Sequence, residues 1–356
     1  MTDLLVFNLA VDVDDPILGF ATDWLNRLAE RFSTVDVITM RAGRLDVAAN
    51  VRVWSVGKEK GYGEARRALT FYAVLLRLLL TRRYAACFAH MMPLFALMGA
   101  PLLAVFRVPQ TLWYTHRQAH RVLRWATRVV RRVVTAAPDS FPIPTGKLRV
   151  VGHGIDTTAF TPALSSGVES PVIVQVARLM PIKRQPSLIR ALARMKQVGA
   201  RLVFVGGVPP EQSADYQRDL ERLVADLGLS ARVRFAGDQD REGVIANLRS
   251  ATVAVNLSPP GLFDKAALES MACALPTVVS SPAFRPLLGE WDPLLRVEPP
   301  EDDAALAERL DALLALPDIE RRQIGDALRA RVQAAHGLEG LIDRVVSVLL
   351  TGEVKT

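Results

Sequence analysis

The sequence predicts an α/β chain built from two doubly wound parallel sheets, and three observations predict it. Short β-branched runs alternate with segments of helical periodicity over almost the whole length. A stretch rich in Ser, Thr, Gly and Pro, Phe160 to Ser170, interrupts that alternation near the middle. The chain has 356 residues, of which 50% are hydrophobic, enough for about two domains with a buried core each.

In the first half, strand-like Leu4-Leu9, Val35-Met40, Val51-Val56, Ala85-Ala89 and Gln110-Tyr114 are separated by helix-like Phe20-Arg31, Ala65-Arg82 and Leu94-Phe106. Arg117, Arg121, Arg124, Arg128, Arg131 and Arg132, with Trp125 among them, recur at three- and four-residue spacing, which predicts a further basic helix. The second half repeats the alternation: strands at Val172-Val176, Arg201-Val205, Val233-Phe235, Ala254-Leu257 and Thr277-Val279, helices at Pro186-Val198, Tyr216-Leu227, Val244-Ser250 and Lys265-Cys273. Asp302 to Leu350 reads as successive helices. The expected domains are residues 1–160, residues 171–335 and a C-terminal helix, 336–356, that crosses back to the first domain.

Net charge is +7 and unevenly spread: residues 1–150 hold 21 Lys plus Arg against 11 Asp plus Glu, and residues 151–356 hold 23 against 26. The basic half lacks zinc-ligand spacing, a recognition helix and RNP-like aromatics, so nucleic acid is not an expected partner. The arginines Arg66, Arg67, Arg77, Arg82 and Arg83 that bracket the apolar helix Leu69 to Leu80, with the basic helix further on, instead predict peripheral contact with an anionic membrane. The two cysteines, Cys87 and Cys273, sit in apolar surroundings without C-x-x-C spacing, which fits a reducing cytoplasm and neither a disulfide framework nor a zinc site. The N-terminus carries no export pattern, and Met91 to Phe106 is broken by Pro93 and Pro101 and too short to span a bilayer. The expectation is a cytoplasmic protein, peripheral on the inner face of the cell membrane.

The most informative stretch is Gly261 to Pro276, where a loop after the apolar run Ala254-Leu257 enters a helix starting near Lys265. Backbone N–H groups of Phe263, Asp264 and Lys265 then lie at a helix N-terminus, which favours an anion or hydroxyl oxygens. Glu269 follows one turn in. Earlier, Arg178 and Lys183 stand five residues apart after a strand, two cations able to embrace a diphosphate. In the first half, the loop after the first strand holds Asp12, Asp14 and Gly19, and Thr111 to His116 is a strand that delivers a polar pair at its C-terminal end.

These motifs resemble those of glycosyltransferase family 4, retaining enzymes of the GT-B fold, whose two Rossmann-like domains face each other across a cleft. Phe263, Leu268, Glu269, Met271, Ala272 and Pro276 match the pattern E-x-F-G-x-x-x-L-E-A-M-A-x-G-x-P, while Gly261 replaces its first glutamate, Asp264 its first glycine, Ser270 an alanine and Ala274 its second glycine. Gln175 to Lys183 resembles G-R-L-x-x-x-K-G, with Arg184 in place of the last glycine, and Gly152 to Phe160 resembles N-G-[VI]-D-x-x-x-F, with His153 for asparagine. The resemblance covers nearly the full length. It implies that Glu269 accepts the ribose hydroxyls of a nucleotide sugar and that Arg178 and Lys183 hold its diphosphate. It places Gly206 beside the nucleotide, Gly19 against diphosphate or acceptor, and His116 at the reactive face of the donor sugar. Asp264 is read either as a sugar contact replacing the lost glutamate or as the helix N-cap. Acceptor contacts are expected from Asp12, Asp14 and, by a looser match, His90. Asp12-Val13-Asp14 has D-x-D form but lies in the domain away from the nucleotide motifs, so no metal is expected.

The function these readings imply is transfer of a hexose from a UDP- or GDP-linked donor to a lipid-linked or polysaccharide-precursor acceptor. It is retaining and metal-independent, with His116, Arg178 and Lys183 as the catalytic set and no cofactor beyond the nucleotide sugar as co-substrate. The loss of the first glutamate keeps open a catalytically silent nucleotide-binding protein, and a nucleotide-sugar epimerase of the same fold is the other alternative.

Overall fold

The computed structural model describes residues 2–15, 18–116, 118–163, 170–209, 215–259 and 262–354. The chain divides into two compact units, Met1–Gly152 with Glu339–Thr356, and His153–Leu338.

The first unit runs β1 (Asp3–Val11), α1 (Phe20–Ala29), β2 (Thr34–Ala42), β3 (Val51–Ser55), α2 (Glu64–Thr81), β4 (Tyr84–His90), α3 (Pro93–Val105), β5 (Gln110–Trp113), α4 (Arg121–Val129), β6 (Arg132–Thr135) and β7 (Leu148–Val150). Its seven strands are ordered β3-β2-β1-β4-β5-β6-β7, every pair parallel. The continuous apolar character of β1 and β4 follows from burial on both sheet faces. Helix α2 turns Phe71, Leu75, Leu78 and Leu79 inward, an i, i+4, i+7, i+8 stripe, and Phe71 meets Phe7 and Phe95 at ring-centroid distances of 5.4 and 4.5 Å.

The basic periodicity overextends its helix. Helix α4 stops at Val129, and Arg132 opens β6, because Val133 and Val134 are buried beside β5 and their branched side chains suit a covered strand. Arg132 instead donates to the carbonyls of Val348 and Leu349.

The second unit runs β8 (Val172–Val176), α5 (Gln185–Arg194), β9 (Arg201–Val205), α6 (Asp215–Asp226), β10 (Val233–Phe235), α7 (Arg241–Arg249), β11 (Val253–Asn256), α8 (Lys265–Ala272), β12 (Thr277–Val279), α9 (Arg285–Leu288), α10 (Asp292–Leu295), α11 (Asp303–Ala315) and α12 (Asp318–His336). Its sheet is β10-β9-β8-β11-β12, again all parallel. From β8 the chain moves outward to β9 and β10, then returns to the other side of β8 for β11. The loops after β8 and β11 therefore leave adjacent strand ends in different directions, the switch point where doubly wound sheets bind ligands. In the first unit β1 and β4 stand in the same relation.

The division between units falls at Gly152, eight residues before the expected 160. Ile155 donates its N–H to the His336 carbonyl, the Leu338 N–H returns to the Ile155 carbonyl, and Arg329 donates to the carbonyls of Thr157 and Phe160, so 153–160 packs with the second unit. Residues 164–169 of the expected linker lie outside the described residues. Helix α13 (Leu338–Leu350) packs with the first unit from Glu339 on, burying Leu341, Ile342, Val345, Val348 and Leu349, with Arg31 paired to Glu339 and Asp343.

Candidate functional site

In the second unit two loops meet at the switch point. The loop after β8 carries Arg178 and Lys183. Buried Gln175 donates to the Lys183 carbonyl at 2.9 Å, and buried Gln185 to the Arg178 carbonyl at 3.0 Å, so the backbone behind both cations is pinned from opposite sides. Arg178 itself is exposed. Gly206, ending β9, has φ +129°, and a Cβ there would come within 2.4 Å of the Ala177 carbonyl oxygen. Its place is fixed by turn conformation and by close approach of the β8 loop.

The loop after β11 leads through Ser258 to Asp264, the N-cap of α8, whose Oδ1 accepts the Ala266 N–H at 3.2 Å. Its Oδ2 pairs with the Lys183 ammonium and accepts from Ser258 Oγ at 2.7 Å and Asn256 Nδ2 at 3.1 Å. Lys183 also donates to Ser258 Oγ at 3.0 Å. Burial raises the Asp264 carboxyl pKa, but the Lys183 charge and the converging donors overcome it and hold the group at about 2. Of the two readings of Asp264, the cap is observed. Both of its oxygens are engaged within the protein, so a contact with sugar hydroxyls would have to displace existing partners.

Glu269, one turn into α8, pairs with Lys265 at 3.2 Å, the (i, i+4) partner on the same helix face. Phe263 is buried and packs between His153, His336 and Phe284, at ring-centroid distances of 5.6, 4.9 and 4.6 Å. Its carbonyl accepts from His153 Nε2 at 2.9 Å, and the His153 N–H donates to His336 Nδ1. Burial pushes the His153 pKa down to about 4 against the opposing pull of the Phe263 carbonyl. Phe263 thus anchors the loop by its side chain. Gly261, where the family pattern has its first glutamate, lies outside the described residues.

In the first unit, Gly19 precedes α1, where a Cβ would come 2.8 and 2.9 Å from the carbonyl oxygens of Asp15 and Val13. Asp12 Oδ1 accepts the N–H groups of Asp14 and Arg44, and Asp14 forms a two-bond pair with Arg44 at 2.7 Å each. The D-x-D carboxylates shape this loop and hold an arginine. His116 is exposed just beyond β5, its ring 6.0 Å from that of Tyr114.

His90, expected at the acceptor, is instead a core residue. It is 5% exposed, its Nδ1 lies 3.2 Å from Asn8 Oδ1, and Trp24 and Trp113 pack at 4.9 and 6.2 Å. Desolvation drives its pKa down to about 4, so the ring is neutral. The strand end is polar as expected, but α1 covers it with Trp24.

The supporting residues Gln175, Gln185, Asn256 and Ser258 escaped the sequence reading. For Gln175, Asn256 and Ser258 the signal was a polar residue in or just after the last positions of an apolar strand run, as in Val-Ile-Val-Gln-Val and Val-Ala-Val-Asn, which reads equally well as a turn, and Gln185 is the first residue of α5 with no signal of its own.

Residues 156–331 match the family model of glycosyl transferases group 1. The matched group 1 segment lies within the second unit and contains Arg178, Lys183, Asp264 and Glu269. D-inositol 3-phosphate glycosyltransferase of Acidothermus cellulolyticus is 31% identical over 176 residues, 45% of this chain and 39% of that protein. The Geodermatophilus obscurus protein of the same name is 30% identical over 212 residues, 56% of this chain and 46% of its own. The chain thus spans less than half the length of these curated relatives. Over the whole chain, sucrose-phosphate synthase from Thermosynechococcus elongatus superposes with a TM-score of 0.76 at 20% identity, covering 98% of each chain. Anabaena HepE, solved with UDP and glucose, gives 0.76 at 18%, covering 99% of this chain and 100% of that one. Over the whole chain the likeness is one of fold: two Rossmann-like domains of the GT-B class.

Proposed function

We propose that the chain is a retaining, metal-independent glycosyltransferase that takes a hexose from a UDP- or GDP-linked donor to a lipid-linked or polysaccharide-precursor acceptor. One observation carries the reading: the group 1 segment gathers two cations, a helix N-terminus and a carboxylate one turn into that helix at the switch point of its sheet. Glu269 accepts the ribose hydroxyls. Arg178 and Lys183 hold the diphosphate, and they stabilise the charge that gathers on it as the bond to the sugar breaks, the work a divalent ion does at sites without such cations. Backbone N–H groups of Phe263, Asp264 and Lys265 suit the sugar hydroxyls, and Gly206 lets the β9 end lie close to the nucleotide. Gly19, preceding α1, is assigned to a phosphate or acceptor oxygen.

Retention is assigned to departure and attack on one face of the sugar, with the leaving phosphate taking the proton of the incoming hydroxyl. In the first unit the family resemblance assigns His116 to the sugar and that hydroxyl. Asp12 and Asp14, already engaged with Arg44 and loop backbone, could meet an acceptor only through that loop. A lipid-linked acceptor is supported by the exposed face of α2 and α4, where Leu69, Leu80 and Trp125 stand 72%, 68% and 52% exposed among arginines.

Calorimetric titration with UDP and with GDP, without added metal, tests the reading. One nucleotide binds the wild type, and Glu269→Ala weakens it at least tenfold by removing the ribose acceptors. Binding of neither nucleotide to the folded protein overturns the donor site. Binding without any sugar transfer or slow donor hydrolysis leaves the silent nucleotide-binding protein, which the loss of the first glutamate at Gly261 favours.

A further inference from the structure

We propose that Asp264 is a built-in counter-ion that competes with the donor diphosphate for Lys183, so that only a ligand carrying the full charge of a diphosphate draws the lysine away. The proposal rests on the nucleotide-sugar reading and adds a determinant that the family pattern lacks, since a glycine stands at this position there and cannot supply a charge.

The geometry points to a resting place built for the ammonium. The Asp264 Oδ2 that pairs with Lys183 is steadied by Ser258 Oγ and Asn256 Nδ2, and Oδ1 is tied to the α8 backbone at Ala266. These three other contacts do not involve the lysine. When Lys183 leaves, Asp264 stays in place with its remaining hydrogen bonds, so the carboxylate is a fixed competitor rather than a mobile one. Lys183 by contrast has a flexible four-carbon stem, and its ammonium spends one further proton on Ser258 Oγ. Both side chains of the pair are 18% exposed, so solvent screens the attraction only in part.

A diphosphate that reaches Lys183 meets either a neutralised cation or, once the pair opens, a cation with a carboxylate close behind it. Both lower the affinity for an anion. The cost is common to every anion that uses Lys183, but the return grows with the charge of the ligand. A doubly charged diphosphate recovers it, and a stray single anion does not. The expected consequence is selection for the intact nucleoside diphosphate moiety at the expense of absolute affinity.

Asp264→Asn isolates the charge. The amide is isosteric and still caps Ala266 through its oxygen, while its NH2 takes the place of Oδ2 and donates to Ser258 Oγ, whose hydroxyl turns to suit, so the fold of the loop is kept, and a thermal melt checks it. Calorimetry with UDP and with uridine then reads the effect, with GDP and guanosine in their place if GDP is the nucleotide that binds. The expected result is UDP binding at least tenfold tighter in Asp264→Asn, with uridine unchanged, because the nucleoside never meets Lys183. A loss of structure alone cannot tighten binding. UDP binding equal to or weaker than wild type in the folded variant overturns the proposal, as does an equal gain for uridine. Lys183→Ala separates the two levels. If it weakens UDP binding to the wild type while Asp264→Asn brings no gain, the donor site stands and the competitor role falls. If Lys183→Ala leaves UDP binding untouched, the assignment of Lys183 to the diphosphate falls and the proposal with it.

Discussion

At the scale of single residues, two histidines and one carboxylate show what neighbours do to chemistry. His153 occupies the place of an asparagine in the family pattern, and its ring is held neutral with a pKa near 4. The folded-state value lies below the ordinary 6.5, so between these limits the unfolded chain binds a proton that the folded chain refuses. Its contribution to stability is complete above pH 6.5 and is lost as pH falls towards 4, up to about 3 kcal/mol. The urea midpoint of the wild type should fall relative to that of His153→Asn as pH is lowered through this window, the asparagine having no proton to refuse. Parallel curves at all pH values would remove His153 as the source. Lys183, Arg178 and Glu269 were legible as residues because a short motif carries them. Their partners were not. The contact of Lys183 with Asp264 spans 81 residues and exists only because β8 and β11 are neighbours, a fact of sheet order that no local pattern encodes. His90 was misread for the same reason: the strand is visible in sequence, and the tryptophan that α1 lays over its end is not.

At the scale of elements, the alternation of strands and helices was legible because strands such as β1 and β8 are rich in branched apolar residues and helices such as α2 show one apolar stripe. The failure at Arg131 and Arg132 is instructive. Arginine spacing continued past Val129, but the valines at 130, 133 and 134 are all buried, and burial of branched residues beside β5 outweighed the charge pattern. Turns placed by close packing are the other hidden class. Gly206 could be read as a simple turn residue, yet its positive φ and the 2.4 Å approach to the Ala177 oxygen make it the point where β9 and the β8 loop lock together. Gly206→Ala should therefore destabilise the second unit by about 2 kcal/mol or more and weaken nucleotide binding, since the loop carrying Arg178 must move to admit the methyl group. Chemical denaturation read alongside UDP or GDP titration checks both effects. An unchanged midpoint with unchanged binding would mean that the strand end yields without cost.

At the scale of the whole molecule, the excess of positive charge and most of the exposed large apolar residues among the described ones belong to the same half of the chain. Helices α2, α3 and α4 pack in succession, α3 against each of the others. The outward face of α2 carries Leu69, Leu76 and Leu80 with Arg66 and Arg77, and that of α4 carries Arg121, Arg124, Trp125 and Arg128, with the Arg128 guanidinium 4.5 Å over the Trp125 ring. Among the described residues no helix is long and apolar enough to cross a membrane, so the contact expected from these helices is with a bilayer surface. In the proposed contact, apolar side chains would dip into the interface while arginines meet anionic headgroups. Cosedimentation should show binding to vesicles containing phosphatidylglycerol, little to pure phosphatidylcholine, and release of the protein at high salt as the charges are screened. Each arginine near an anionic surface contributes about 1 kcal/mol, so replacing Arg121, Arg124 and Arg128 together by alanine should lower the partition coefficient by a factor of about 100. Nucleotide binding, proposed for the second unit, should stay as it was. If the triple variant partitions like the wild type, or if neutral vesicles bind as well as anionic ones, the basic face is a solvated surface and the case for a lipid-linked acceptor loses its support.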